Sequence, residues 1–340
     1  MTELLPIVTP AADVGPQDPS RDTPIRAARS VRRTSSIDII RPDGPVPGAS
    51  VIVDGRARDA VTIEVDQPPA STEQRINATL DPAQQLATIA TTPQEPALDG
   101  LVGAHATTGF RARAAAVVPE HRRDATLLYL LLDDLPVATL VSGYALQRAG
   151  VTGTAPRALF EPMVDLCSGW AADATIFRLI DRSGAPPMTL GPLAPALERA
   201  DDPIGWHQLP ATRPHTVRRR RRIDVTFGPV IAVDAMFRDS YFDGDGTESA
   251  VHEYGLRAEI DTETLVLTHL EATPRVLPYI ECPAAAASAT RLVGFHLTDV
   301  RDRVRAELVG TSTCTHLNDL LRSLEDVNGL RRSWDRAAQA

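Results

Sequence analysis

An internal repeat constrains the fold of this chain more than any other feature of its sequence. The stretch beginning Val31-Arg-Arg matches a later stretch beginning Val217-Arg-Arg, and further matches follow in the same order along both copies. They include Arg58-Asp59 against Arg238-Asp239, and Ala78-Thr-Leu-Asp81 against Ala258-Glu-Ile-Asp261. Because the matches are collinear through the whole unit, they indicate a duplication. We therefore predict two pseudo-symmetric lobes.

The repeat divides the chain into four parts. We predict a disordered N-terminal segment at 1–30, a first lobe at 31–147, an inter-lobe helix with a proline-rich linker at 148–216, and a second lobe at 217–333. The length of 340 residues also favours two domains over one. The linker prediction depends on the Pro, Gly and Ala-rich composition between the two copies.

Within each copy, strand patterns precede helix patterns. Short β-branched or alternating stretches such as 50–54 and 256–260 predict strands, and Asp243-Gly-Asp-Gly246 predicts a hairpin turn. In the second copy, helical spacing follows at about 284–293, 298–308 and 313–324. The fold class is therefore predicted to be α+β, with an antiparallel sheet followed by helices in each lobe.

Composition excludes several functions. The chain contains no lysine, so arginine supplies all 35 basic charges, and Schiff-base or ordinary pyridoxal phosphate chemistry is excluded. The 44 acidic residues give a net charge of −9, which disfavours binding to nucleic acid. The five-arginine run 218–222 is accordingly interpreted as a solvated strand edge or as a contact between the lobes.

The cysteines and the N-terminus predict a cytoplasmic protein. Cys167, Cys282 and Cys314 are too few and too scattered for a disulfide framework. The N-terminus lacks the basic and apolar regions of an export signal. The apolar run Leu127–Leu132 is far shorter than the roughly 20 residues of a membrane span, so no membrane insertion is expected.

A set of sulfur and imidazole side chains in the second copy predicts a metal site. Cys282 and Cys314 each stand at the start of a predicted helix, where the helix dipole favours a thiolate. His252 opens a predicted strand, and His316 lies two residues beyond Cys314. Two thiolates and two imidazoles could ligate zinc or iron. The first copy has Gly100 in place of Cys282, and leucines in place of Cys314 and His316.

Three other interpretations of these residues remain open. Cys314 could be a small core residue, because 314, 317, 321 and 324 share one helix face. Cys314 could instead be a nucleophile acting on an acyl or thioester substrate, with His252 or His316 as base and Asp319 or Asp261 orienting it. A metal could also stabilise a protein-interaction module. The partner is thus a small molecule or a protein.

The sequence Cys314-Thr-His-Leu317 resembles the C-terminal hallmark of a bacterial family, domain-of-unknown-function family 2889, a resemblance that implies no particular activity. From Val251 to Leu324 the order of elements also distantly resembles the U-type iron–sulfur cluster scaffold proteins. That resemblance implies a scaffold-like second lobe with ligands at Cys282 and Cys314. This chain departs from the scaffolds in having His252 at the first cysteine position and Cys-x-His in place of adjacent His-Cys. A mononuclear metal is therefore favoured over a transferable cluster.

Overall fold

Eight antiparallel strands form one continuous sheet across both copies of the repeat in the computed structural model, which describes residues 7–65, 67–151 and 157–339. The strand order is β4-β3-β2-β1-β5-β6-β7-β8, so each copy contributes a four-stranded meander. The strands are β1 (Ser30–Ile40), β2 (Val51–Thr62), β3 (Ala70–Leu80), β4 (Leu86–Thr92), β5 (Val217–Phe227), β6 (Val230–Phe242), β7 (Glu248–Asp261) and β8 (Leu267–Val276).

The two copies meet where their first strands pair. β1 and β5 run antiparallel, with Val31 opposite Val225 and Ile39 opposite Val217. The strand order is therefore symmetric about this pair, and each half has its own large hydrophobic core. The predicted α+β class, with antiparallel strands followed by helices, is confirmed. The domain boundaries proposed from the sequence stay a prediction.

Helices follow the strands in each half. The first half has α1 (Phe110–Val117), α2 (Pro119–Arg123), α3 (Leu127–Val141) and α4 (Gly143–Arg148), and α5 (Thr175–Ser183) lies in the connecting region. The second half has α6 (Val300–Glu307), α7 (Thr315–Arg322) and α8 (Val327–Ala338). The helix predicted at 284–293 is a 3₁₀ helix over Cys282–Leu292.

Each half also covers part of the sheet of the other. Val137, Val141 and Ala145, from α3 and α4 of the first half, pack against Val217 and Tyr241 of the second half. In the reverse direction, α8 of the second half packs against β1 and β2. The helices of one half therefore form walls over the strands of the other.

The arginine run 218–222 lies at the centre of the sheet and is buried. The interpretation of this run as a solvated strand edge is therefore wrong, and the structure shows a contact between the halves. Each guanidinium is compensated by carboxylates. Arg218 Nε lies 2.7 Å from Asp38 Oδ1 across the β1–β5 junction, and Arg221 Nη2 lies 2.5 Å from Asp134 Oδ1 of α3. Burying these charges is tolerable only because every one of them has an acidic partner.

The face of the sheet opposite the helices is covered by irregular chain. Residues 7–29, for which the sequence predicts disorder, instead form bridges such as Gln17 to Val276. Carbonyl oxygens of this segment and of the linker accept hydrogen bonds from buried arginines, as Ser20 and Pro195 do from Arg238. Proline suits this role because it offers a carbonyl acceptor without an N–H donor that also needs a partner.

One stretch among the described residues, Leu127–Arg148, is long and apolar enough to span a membrane by length and composition. However, 78% of its most apolar window is buried inside the protein. Core helices of soluble proteins meet the same criteria, because a helix surrounded by protein on all sides is apolar all round. The cytoplasmic location of the protein stays a prediction.

Candidate metal centre

Two imidazoles and a carboxylate come together in the second half. Asp239 of β6, His252 of β7 and His316 of α7 place one ligand atom each within 4.8 Å of one another. The antiparallel register sets Asp239 directly opposite His252, beside a shift of register between Asp239 and Ser240. His316 stands in the first turn of α7, which begins after Cys314.

The two imidazole rings are stacked. The ring centroids of His252 and His316 lie 3.9 Å apart with an interplanar angle of 23°. His252 Nδ1 lies 3.6 Å from Asp239 Oδ2, which is beyond ordinary hydrogen-bond distance. That nitrogen is buried and has no hydrogen-bond partner among the described residues. A buried polar atom without a partner is unfavourable, and a bound cation would satisfy it.

The carboxylate is held in its charged form by arginine. Arg219 Nη1 lies 2.8 Å from Asp239 Oδ1 and 3.0 Å from Oδ2. Burial by itself raises the pKa of Asp239, but the charge of Arg219 and the contact with His252 outweigh it and hold that pKa below its usual value. Arg219 is in turn within ion-pair distance of Asp134 and Asp319. Asp239 is therefore an anionic ligand at neutral pH.

The imidazole of His316 is neutral in the same conditions. Burial, followed by the neighbouring His252, lowers the pKa of His316 well below its usual value. Neutral imidazole is the form that binds a metal ion. Asp239, His252 and His316 are the residues that would hold a metal ion here. The donor set fits zinc or iron.

A cavity of about 530 Å³ opens beside the two histidines. His252, His316 and Thr315 line one part of it. Much of the remaining wall is apolar or aromatic and comes from α3, α4 and the connecting region, including Val137, Leu140, Tyr144, Met163, Leu166 and Trp170. The volume is in the range of sites for small organic molecules.

The cysteines predicted as ligands do not join this group. Among the described residues, Cys282 and Cys314 belong to no metal-binding cluster of the kind formed by Asp239 and the histidines. Both thiols are buried in the core of the second half. Burial raises the pKa of Cys314 to about 11 and that of Cys282 well above its usual value, so both are thiols and not thiolates. Of the four predicted ligands, the structure brings together His252 and His316.

The acidic residues proposed to orient a catalytic histidine lie elsewhere. Asp319 is buried against Arg111 and Arg219 and has no contact with an imidazole among its described ion pairs. Asp261 ends β7 and accepts hydrogen bonds from the backbone N–H groups of Glu263 and Thr264 in an exposed turn. Neither residue is placed to orient His252 or His316.

Sequence reasoning missed Asp239, although a signal for it existed. The predicted hairpin turn at 243–246 sets the pairing of the strands on either side of it, and a shift of register between Asp239 and Ser240 then brings Asp239 opposite His252. Asp239 also belongs to the Arg-Asp pair that recurs as Arg58-Asp59 in the first copy. Counting outward from the turn would have placed Asp239 opposite Val251, one residue from His252, because the shift of register is not visible in the sequence.

The second half of the chain is similar to one protein family. Residues 214–329 match the family model described as "Protein of unknown function (DUF2889)", in agreement with the resemblance based on Cys314-Thr-His-Leu317. The match contains all three candidate ligands. No curated protein matches the chain. Among solved structures, a crystal structure of lipopolysaccharide binding protein aligns over 90% of each chain with 9% identity and a TM-score of 0.14, which is too low to indicate a shared fold.

Proposed function

We propose that this protein is a metal-dependent enzyme whose zinc or iron ion is held by Asp239, His252 and His316. The observation that carries the proposal is that the two imidazoles line a cavity able to hold a small organic molecule and have the Asp239 carboxylate within 4.8 Å of them. Three protein ligands leave coordination positions open, which is typical of catalytic rather than structural sites.

A bound ion at this position supplies a Lewis acid next to the substrate cavity. The protein side chains have separate roles. Arg219 keeps Asp239 ionised and fixed, and Phe237 lies under the Arg219 guanidinium at 4.5 Å from its ring centroid. The apolar walls from α3 and α4 exclude water from a substrate held beside His252.

A mononuclear ion agrees with these observations better than an iron–sulfur cluster. Cluster iron is held by cysteine thiolates, whereas Cys282 and Cys314 are buried thiols with raised pKa values. The same burial disfavours Cys314 as a nucleophile, because its side chain is 3% exposed and does not line the cavity. The resemblance to iron–sulfur scaffolds and the protein-interaction module stay predictions that no described contact supports.

The test is elemental analysis of protein purified anaerobically and without a histidine tag. We expect about one zinc or iron per chain in the wild type and its loss in His252→Ala, His316→Ala and Asp239→Asn. His269→Ala, at an exposed position on β8, is the matched control and should keep the metal. Cys314→Ser and Cys282→Ser should also keep it. Metal lost from the cysteine variants but retained by His252→Ala would overturn the proposed ligand set.

Cobalt substitution separates an open site from a closed one. In the Co²⁺-loaded protein, azide should shift the visible absorption bands, because a small anion can enter an open coordination position. Spectra that do not respond to azide would show a closed, structural shell and would remove the enzymatic part of the proposal.

A further inference from the structure

A second cavity, of about 470 Å³, lies between the two halves and is lined by arginine. Its walls come mainly from α1 of the first half and α6 of the second. Five guanidinium groups line it, against the two carboxylates of Asp133 and Asp302: those of Arg111, Arg122, Arg301, Arg305 and Arg322. Four of these arginines lie within ion-pair distance of carboxylates, and Arg305 has no such partner among the described residues.

The N-terminus of α1 opens into this arginine-lined cavity. Thr107, Gly109 and Ala112 line it, and Gly109 is the N-cap residue of α1, with a φ of 71° and no side-chain cap. The first turn of α1 carries no acidic residue. The backbone N–H groups at the start of a helix have no intrahelical acceptors, and together with the helix dipole they favour an anion.

Arginine donors in the wall also lack acceptors. Arg301 is 5% exposed, and its Nη2 lies 2.7 Å from Asp326 and its Nη1 3.5 Å from Glu325, but its Nε has no hydrogen-bond partner among the described residues. The Nε of Arg322 also has no hydrogen-bond partner there, although Asp133 Oδ2 lies 3.7 Å from it. Arg305 is exposed, and no carboxylate of the described chain lies within ion-pair distance of it. A guanidinium cannot lose its proton, so buried donors such as the Nε of Arg301 favour a bound acceptor, and an unpaired Arg305 can turn to the same ligand.

We propose that the arginine-lined cavity binds a phosphate-type dianion, either as free phosphate or as the phosphate group of a small ligand. Helix N–H groups approach from the first half and guanidinium donors from the second. Several donors converging from two sides suit the multiple oxygens of a phosphate. The proposal does not depend on the metal centre, because this cavity shares only Arg111, Asn318 and Arg322 with the walls of the other.

The test is isothermal titration of inorganic phosphate, and separately of phenyl phosphate, into the full-length protein after dialysis against chelator. Ionic strength is held constant with sodium chloride. We expect saturable binding that is weakened about tenfold or more in Arg305→Ala, which removes a charge-assisted hydrogen bond. Ala112→Glu should weaken it similarly, because a glutamate in the first turn suits the helix but repels an anion.

The controls keep the outcomes separate. Arg303→Ala, on the same helix as Arg305, removes a charge that pairs with Glu307 outside the cavity and should bind phosphate as the wild type does. His252→Ala should also bind as the wild type does, which distinguishes this cavity from the metal centre. Binding of inorganic phosphate alone indicates the free ion, and tighter binding of phenyl phosphate indicates a phosphorylated ligand. Absence of saturable binding, or equal binding by Arg305→Ala, Ala112→Glu and Arg303→Ala, would overturn the proposal.

Discussion

The two halves of the sheet share one buried ion pair but differ in the residue beside it. In the first half Arg33 Nε lies 2.7 Å from Asp59 Oδ1, and in the second half Arg219 Nη1 lies 2.8 Å from Asp239 Oδ1. The cross-strand neighbour of Asp59 is Thr72, whereas that of Asp239 is His252. The arginine–aspartate pair is therefore part of the repeated fold, and the imidazole is specific to the second half.

The cavity beside the ion pair is also larger in the second half than in the first. Next to Asp59 and Thr72 there is a cavity of about 210 Å³, partly closed by Ser333, Arg336 and Ala337 of α8. Next to His252 and His316 the cavity measures about 530 Å³. Because the fold covers one position with a helix and leaves room at the other, the shared ion pair is structural in both halves and supports a site in only one.

The largest expected effect comes from removing the shared arginine in each half. Arg33→Ala and Arg219→Ala should each lower the free energy of unfolding by about 3–5 kcal/mol, because each leaves a buried carboxylate without its partner. Only Arg219→Ala should also release the metal. Urea unfolding and elemental analysis of both variants measure the two effects.

Arg219→Lys should disturb the fold less than Arg219→Ala and tests the same contact. A lysine keeps the positive charge but cannot serve Asp239, Asp134 and Asp319 at once, so metal affinity should fall by about tenfold. Equal metal loss in Arg33→Ala and Arg219→Ala would contradict the assignment of the site to the second half.

A smaller effect is expected from His207, which lies in the connecting region against β1 and has no counterpart in the first copy. This histidine is buried, with Nε2 2.8 Å from Ser36 Oγ and Nδ1 3.0 Å from Thr34 Oγ1. Burial, and then the charge of Arg58 and other nearby arginines, lowers the pKa of His207 to about 3.

The low pKa of His207 makes the folded protein less stable at acid pH. Unfolded histidine binds a proton below about pH 6.5, whereas His207 in the folded protein stays neutral until about pH 3. Its contribution to stability is therefore complete above pH 6.5 and declines by about 1.4 kcal/mol per pH unit below it. Urea unfolding of His207→Gln should show a shallower acid slope than the wild type or exposed His269→Gln. Identical slopes in all three would exclude His207 as the source.

The smallest expected effect concerns the three thiols. Cys167, Cys282 and Cys314 are all buried, and burial raises the pKa of each. Iodoacetamide should modify them slowly at neutral pH, and a chelator should not change the rate. Peptide mass spectrometry reports each cysteine separately. Rapid labelling of Cys314 once metal is removed would restore it as a ligand, and rapid labelling in metal-loaded protein would restore it as a nucleophile.

The fold was more predictable from the sequence than the site was. Strand alternation, the turn at Asp243–Gly246 and the helical stripe ending at Leu324 are local patterns, and they correspond to β6, β7 and α7. His252 and His316 were found because they accompany two cysteines in the second copy, where the first copy has glycine and leucines in place of Cys282, Cys314 and His316. The position of Cys314 at a helix start predicted a thiolate, but burial, which decides its protonation, depends on tertiary packing that no local pattern reports.

The exchange of helices between the halves bears on how such a protein could have originated. A polypeptide with a single copy of the repeat would lack the wall that α3 and α4 place over the second half, and the cover that α8 places over the first. Such an ancestor could reproduce this arrangement only as a symmetric homodimer, with each subunit completing the cavity of its partner. After gene fusion, selection would need to maintain only one of the two equivalent sites. The site that is no longer under selection could then lose its histidine, and Thr72 faces Asp59 where His252 faces Asp239.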